Sequence, residues 1–457
     1  MPVSLPRSNP SLTEQLTDQL SRSVDAQTRV RAARQLLDWV ACTLAARHTP
    51  IADVLRNYAD AQAPGHHLAI GLGPRDAQAA SLWNGALGNV LEMDDLHRGS
   101  ILHPGPIVIP AAIAVAQKRR VKANDFLDAI VRGYEATIRI GRAIGRSHYR
   151  YWHSTSTCGA FGAAAAAASA LHLGREATVW ALGNAGSRTG GLWQLMHENV
   201  MSKSLHNAEA AHSGVLAAEL AGCGFSGPRE ILEGPQGLFA ATSQDAAPEL
   251  VSRDELHWLI NEVSTKPWPA CRHAHPAIDA ARAACPLPID VHTIARIDIH
   301  TYAEAVRFCD KPVPTTPAEA RFSLQHAVAV ALTRAMPALI DFTEVLLDDP
   351  QLDALRRLTS VNVDADFSAA FPQHYGARVV VTSCDGTIHH ASLQDAWGDP
   401  EWPLQTEQLR DRAIKLMQWG RVDPTAAGGI ADATLQLAHA GDESALADWF
   451  ALLAEAY

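Results

Sequence analysis

Across residues 26–46 the apolar positions Val30, Ala33, Leu36, Leu37, Val40 and Leu44 return at helical spacing, with Arg and Asp between them. This spacing predicts an amphipathic helix that feeds a core through one stripe. A similar period runs through 77–91, 107–119, 124–144, 159–173, 176–185 and 208–221, separated by short connectors bearing Gly, Pro or His. Residues 1–269 are therefore predicted to form a large all-helical domain. After Pro267 the period changes. Residues 293–302 alternate apolar and polar, and 378–383 with 387–392, joined across Asp385-Gly386, have the pattern of a β-hairpin. A further strand is expected at 361–364, and helices at 275–285, 321–336 and 351–358. Residues 270–402 thus form a smaller α+β lid domain, inserted before helices at 405–419 and 431–456. Those last helices, within 403–457, are expected to return to the helical domain, giving a mainly α fold.

Composition narrows the partners. With 457 residues, 47% hydrophobic and 19% charged, the chain is long enough for a substantial core, and a formal net charge of -11 with no Lys/Arg run speaks against nucleic-acid or acidic-membrane binding. No window offers the roughly 18 apolar residues of a membrane span. Residues 1–12 are Pro/Ser-rich and lack a secretory leader's basic and apolar regions. Seven scattered cysteines with no C-x-x-C pair indicate reduced thiols in a cytoplasmic protein.

Four stretches concentrate chemistry. The first, 92–104, packs Glu92, Asp94, Asp95, His97, Arg98 and His103 into one short segment between apolar runs. Burying so many ionisable groups is costly unless they pair, which points to a functional cleft. The second places His153 ahead of Ser154, Thr155, Ser156 and Thr157, where a helix N-terminus would offer amides to a carboxylate. The third carries Lys203, a point charge for a carboxylate, with His206 after it. The fourth, 266–276, is Pro-rich and holds Cys271, Arg272, His273 and His275 where the two domains join. His and Cys residues are numerous, yet no zinc spacing occurs, so no metal is expected. Gly222 to Gly227 matches G-x-G-x-x-G, but it follows a helical run and meets Pro228. It is read as a helix end and turn, and no nicotinamide or flavin is expected.

Together these stretches resemble the MmgE/PrpD family, which includes 2-methylcitrate dehydratase, cis-aconitate decarboxylase and iminodisuccinate epimerase. The likeness extends through Arg34–Trp39, Asn84-Gly85-Ala86, His103-Pro104, Gly133-Tyr134-Glu135 with Gly141-Arg142, 153–162, Lys203–His206, 266–275 and Ala320-Arg321-Phe322-Ser323. It implies a helical domain completed by the C-terminus, a smaller lid, a homodimer, no metal or organic cofactor, and an active site between the domains. The site positions it implies are Asp94, Asp95, His103, His153 and Lys203, with Cys271, His273 or His275 from the fourth stretch. There are departures. Many members have Asp-Phe-Asp-Asp-Thr where this chain has Glu92-Met93-Asp94-Asp95-Leu96, Arg98 adds a cation, and His326 stands where decarboxylases carry a tyrosine.

The family's shared chemistry makes or breaks a bond next to a carboxylate of a small di- or tricarboxylic acid, which needs a base, an acid and cations for the carboxylates. His103 and His153 are the expected acid/base pair, with Asp94 or Asp95 orienting one imidazole. Lys203, Arg98 and the first-turn amides around Ser156 and Thr157 are expected to grip the substrate, with Cys271, Arg272, His273 and His275 as further binding groups. The preferred reaction is elimination of water, ahead of epimerisation or decarboxylation. A ligand-binding protein that kept the fold without turnover is the rival.

Overall fold

The computed structural model describes residues 9–198, 200–285, 289–440 and 442–456; residues 1–8 of the Pro/Ser-rich start lie outside them. The protein is mainly α with a small α+β region, and it divides into two compact units. The first takes the described residues up to Val90, then Asp94–Val263, and those from Thr406 onward; the second takes Leu91–Met93 and Ser264–Gln405.

The first unit is built from helices α1 (Leu12–Leu20), α2 (Ala26–Ala46), α3 (Pro50–Asp60), α4 (Ala77–Leu87), α5 (Gly105–Arg119), α6 (Ala123–Ala143), α7 (Ser154–Ala170), α8 (Arg175–Gly186) and α9 (Ser202–Gly222), joined by the C-terminal helices Thr406–Trp419, Pro424–Gln436 and Glu443–Ala454. The α2 stripe is buried as its period predicts, and Asp25 caps the helix by accepting from the Thr28 N–H. At the centre lies α7, packed against α5, α6, α8 and α9. It is almost entirely buried and consists largely of Ala and Gly, because neighbouring backbones come too close for larger side chains. At Gly162 a Cβ would stand 1.7 Å from Thr137 Oγ1 and 2.7 Å from the Gly133 carbonyl oxygen.

Three local expectations are corrected. The single helix at 431–456 is two, Pro424–Gln436 and Glu443–Ala454, with Gly441 between them outside the described residues. The helical domain also contains a small hairpin, β1 (His67–Ala69) with β2 (Gly73–Arg75). The Pro/Ser-rich start gives way at once to α1, whose Ser11 and Glu14 form a reciprocal capping box. The nominal glycine fingerprint is a helix end: α9 stops at Gly222 and Gly224 turns the chain with φ of +90°.

The second unit carries a four-stranded sheet in the order β4-β3-β5-β6, from β3 (Ile294–Thr301), β4 (Thr359–Val363), β5 (Ala377–Ser383) and β6 (Ile388–Leu393). β3 runs parallel to β4 and antiparallel to β5, and β5–β6 is the hairpin turning at Gly386 (φ +87°). Ile297, Ile299, Val379 and Val381 lie in the buried core, with helix His275–Ala284 packed on β5 and β6 and helix Leu324–Thr333 packed on it. Alternation in the strands therefore meets an apolar helix face, which makes a two-layer unit.

Candidate active site

In the helical unit the acidic stretch folds back on itself. His97 and Leu102 form an isolated bridge around a short turn at Arg98–Ser100, and α5 begins just beyond His103. This loop brings His103 against both aspartates in different ways. Its Nδ1 lies 2.9 Å from the Asp94 carboxylate and 2.7 Å from the Asp95 carbonyl oxygen. A carbonyl can only accept, so Nδ1 carries the proton and Nε2 is left bare in the neutral ring. Asn89 donates to the same Asp94 oxygen at 2.7 Å, and the His103 amide donates to Thr155 Oγ1, holding the imidazole from two sides.

Of the two orienting aspartates, Asp94 is the one whose carboxylate meets His103. The Asp95 carboxyl turns inward, where Tyr134 donates to it at 2.6 Å, the Gly105 amide at 3.0 Å and Gln35 at 3.4 Å. Burial, then the nearby Asp38 carboxylate, push Asp95 up to about 8 against the pull of these donors.

His153 precedes the first turn of α7. The helix starts at Ser154, so the carbonyl of His153 already takes the Ser156 and Thr157 amides. Those two amides are therefore not open to a substrate carboxylate, contrary to the expectation from the sequence. The Ser156 hydroxyl donates to the His206 carbonyl, and Thr157 meets His148 and the His153 carbonyl. The His153 ring is buried, lies tilted against Trp193 with ring centres 4.4 Å apart and faces His206, with the two Nδ1 atoms 3.3 Å apart. Burial first, then the charges of Lys203, His206 and His103, hold its pKa well below the usual histidine range. Lys203 and His206 reach it from the first turns of α9. Next to His206 opens a cavity of about 270 Å³ whose walls include Ser156, Arg188, Gly191, Glu209 and Ser213.

The remaining expected residues divide between the units. Arg98 is buried in the turn of the helical unit. His97, which carried no assigned role, caps that turn: its Nδ1 accepts from the Ser100 amide, and Nε2 faces Glu262 at 3.4 Å. In the second unit, Arg272 is paired with Asp399 at 2.5 Å. His275 is fully buried, donating to the Ala270 carbonyl and accepting from Arg272. His273 lies between the rings of Phe308 and Tyr375 with Nδ1 2.6 Å from the Tyr302 hydroxyl. Hydrogen bonding with Cys309, against the opposing effect of burial, lowers the Cys271 thiol. Lys266 is fully buried, with Nζ 3.5 Å from the Glu92 carboxylate, and Glu92 itself sits in the left-handed region (φ 55°). His326 donates to the Asp341 carbonyl and accepts from Arg356, and burial lowers it to about 4, so it is a neutral ring with both nitrogens engaged. His374, Asp395 and Glu401, outside the four stretches, have donor atoms within 4.8 Å of one another.

Two residues of the helical cluster were noted in the sequence without being given a role. His206 follows Lys203 by three, a spacing that puts both on one face of a helix, and Tyr134 lies within a noted motif. Their partners, however, come from distant segments.

Comparison with known proteins fits this arrangement. The model of the MmgE/PrpD N-terminal domain matches residues 11–251, and that of the C-terminal domain matches 268–437. The chain belongs to the MmgE/PrpD family. It is 28% identical to the cis-aconitate decarboxylase-like protein oryM of Aspergillus oryzae, over 94% of each chain. Human cis-aconitate decarboxylase is 26% identical over 75% of this chain and 74% of its own, and 2-methylcitrate dehydratase of Cupriavidus necator 27% over 47% and 45%. These MmgE/PrpD relatives are enzymes that act on small polycarboxylates by name. Among the described residues, no helix is long and apolar enough to cross a membrane.

Proposed function

We propose that this protein is a lyase that removes a proton beside a carboxylate of a small hydroxy-di- or tricarboxylic acid and eliminates water. The observation that supports it most is the fixed His103 ring. With Nδ1–H held by Asp94 and the Asp95 carbonyl, Nε2 is a ready base, and the Asp94 charge stabilises the imidazolium formed when it takes the proton. His153 is the acid for the leaving hydroxyl, and Lys203 and Arg98 hold carboxylates and the developing charge. A cytoplasmic homodimer working by acid–base chemistry alone completes it.

Decarboxylation is the second reading, because the relative aligned over 94% of both chains is decarboxylase-like. Leu96 and the fully engaged His326 weigh against it, since neither supplies the hydroxyl expected from the family pattern. The test is turnover of citrate-like acids by purified, EDTA-treated protein, followed by enoate absorbance and proton NMR. Enoate formation supports elimination; solvent deuterium entering carbon without net elimination selects epimerisation, and carbon dioxide release selects decarboxylation. Binding without turnover selects a non-catalytic ligand-binding protein.

A further inference from the structure

Facing imidazole nitrogens 3.3 Å apart cannot both be bare, because two lone pairs would then repel in a buried space, nor both protonated for long beside Lys203. One Nδ1 must donate to the other. His153 is buried, with Trp193 tilted against its ring and the charges of Lys203, His103 and Asp94 acting on it, whereas the His206 ring is half-buried and also lines the 270 Å³ cavity. Gly191 lets the two rings meet: its φ is +119°, a Cβ there would lie 3.2 Å from His206 Nδ1, and its carbonyl accepts the His153 amide at 2.8 Å. Ser156 clamps the other side by donating to the His206 carbonyl.

From this geometry we infer that His206 is a positioning residue that sets the tautomer of His153 and links it to protons in the cavity beside it. This rests on the lyase reading for its purpose, but not for its structural content. With the shared proton on His206 Nδ1, His153 Nδ1 accepts and its Nε2–H is the acid. When Nε2 gives its proton to the leaving hydroxyl, the shared proton shifts to His153 Nδ1 and His206 Nε2 takes one from a cavity water, which is left as hydroxide. Both rings stay neutral, and the charge never resides on the buried His153 beside Lys203. Once product has left, the proton of the His103 imidazolium passes through water to His153 Nε2, the shared proton returns to His206 Nδ1, and His206 Nε2 gives its proton to the cavity hydroxide, which restores all three rings. Arg188 and Glu209 of the cavity wall and Lys203, His103 and Asp94 around His153 are the charged groups that bias it.

The direct test uses full-length protein labelled with 15N-histidine, the two rings assigned through His206→Gln and His153→Gln. Long-range proton–nitrogen spectra should show one Nδ1–H and one bare Nδ1 in the pair, and His206→Gln should change the His153 tautomer ratio. Two Nε2–H rings with no Nδ1–H would overturn the inference whether or not any substrate is found. With an active substrate, His206→Ala should lower kcat on the order of 100-fold with little change in KM, and free imidazole, admitted by the enlarged cavity, should restore it at least ~10-fold. An unchanged kcat, or a loss that imidazole does not rescue in a folded variant, would also overturn it. If the wild type turns over no acid, the lyase reading fails and the spectra alone decide the pair.

Discussion

Replacing Asp95 with Asn should make the protein progressively more stable than the native chain as the pH rises from 5 to 8. The native carboxyl is held at about 8 by burial and by Asp38, against 3.8 for an ordinary aspartate. Below the lower value both folded and unfolded chains carry the proton. Between the two values the folded chain keeps a proton that the unfolded chain has released, so native stability falls with each pH unit by about 1.4 kcal/mol. Above about 8 both states are ionised and the loss is complete. From pH 5 to pH 8 the native protein should therefore lose at most about 4 kcal/mol that the variant keeps. Asn has the shape of a protonated carboxyl and no proton to lose, and the Tyr134 hydroxyl can reverse its role to accept from the new amide. Urea unfolding followed by circular dichroism at each pH gives the gap, compared transition by transition because two units need not unfold together. A gap that stays constant within about 1 kcal/mol over this range would refute the raised carboxyl. An ionised Asp95 held by its donors would leave the gap flat over this range and change it only below about pH 4, where the native chain would lose stability as the carboxylate is protonated.

Asp94→Asn should lower kcat/KM by about 10–100-fold, since Asp95's carbonyl still fixes the His103 tautomer while the stabilising charge is gone; His103→Ala should cost about 100–10,000-fold. Steady-state kinetics on an active acid checks both, and equal losses would contradict the division of labour. Gly162→Ala should destabilise the helical unit by about 1–3 kcal/mol or more, because its Cβ would stand 1.7 Å from Thr137 Oγ1; Thr137→Ala in the same chain should recover part, read by thermal unfolding. His97, His148 and His326 are each lowered to about 4, mainly by burial, so their neutral forms add stability that is full above about 6.5 and lost as pH falls through 4. Each contributes at most about 3 kcal/mol. His326→Gln should therefore flatten the acid unfolding profile relative to the native protein.

Helix α2 was legible in its bounds, because apolar residues return at helical spacing across it, although from Gln35 onward it is buried all round and not along one stripe. The β5–β6 hairpin was equally plain from its alternation and its Asp385-Gly386 turn. By contrast, α1 was hidden by its Pro/Ser-rich approach, although Ser11 and Glu14 three residues apart carried the capping signal. The apolar pattern at 431–456 concealed a break, because a helical stripe can continue in phase across a turn between two packed helices. Parallel pairing of β3 with β4 joins segments some sixty residues apart, and local alternation carries no such pairing information.

The sequence by itself determined the helical frame, the sheet-bearing insertion and the residue types from which an acid–base site is made, since period, capping and turn chemistry act within a few residues. Only the tertiary structure separated the charged segment around Asp94. It turned the Asp94 carboxylate toward His103 and the Asp95 carboxyl toward Tyr134, although the two are neighbours in the chain. It likewise set His206 against His153 and tied up both nitrogens of His275 and His326. Such assignments depend on which distant backbone or ring lies within 3 Å, and on burial that raises or lowers a proton's affinity; one-dimensional spacing contains neither.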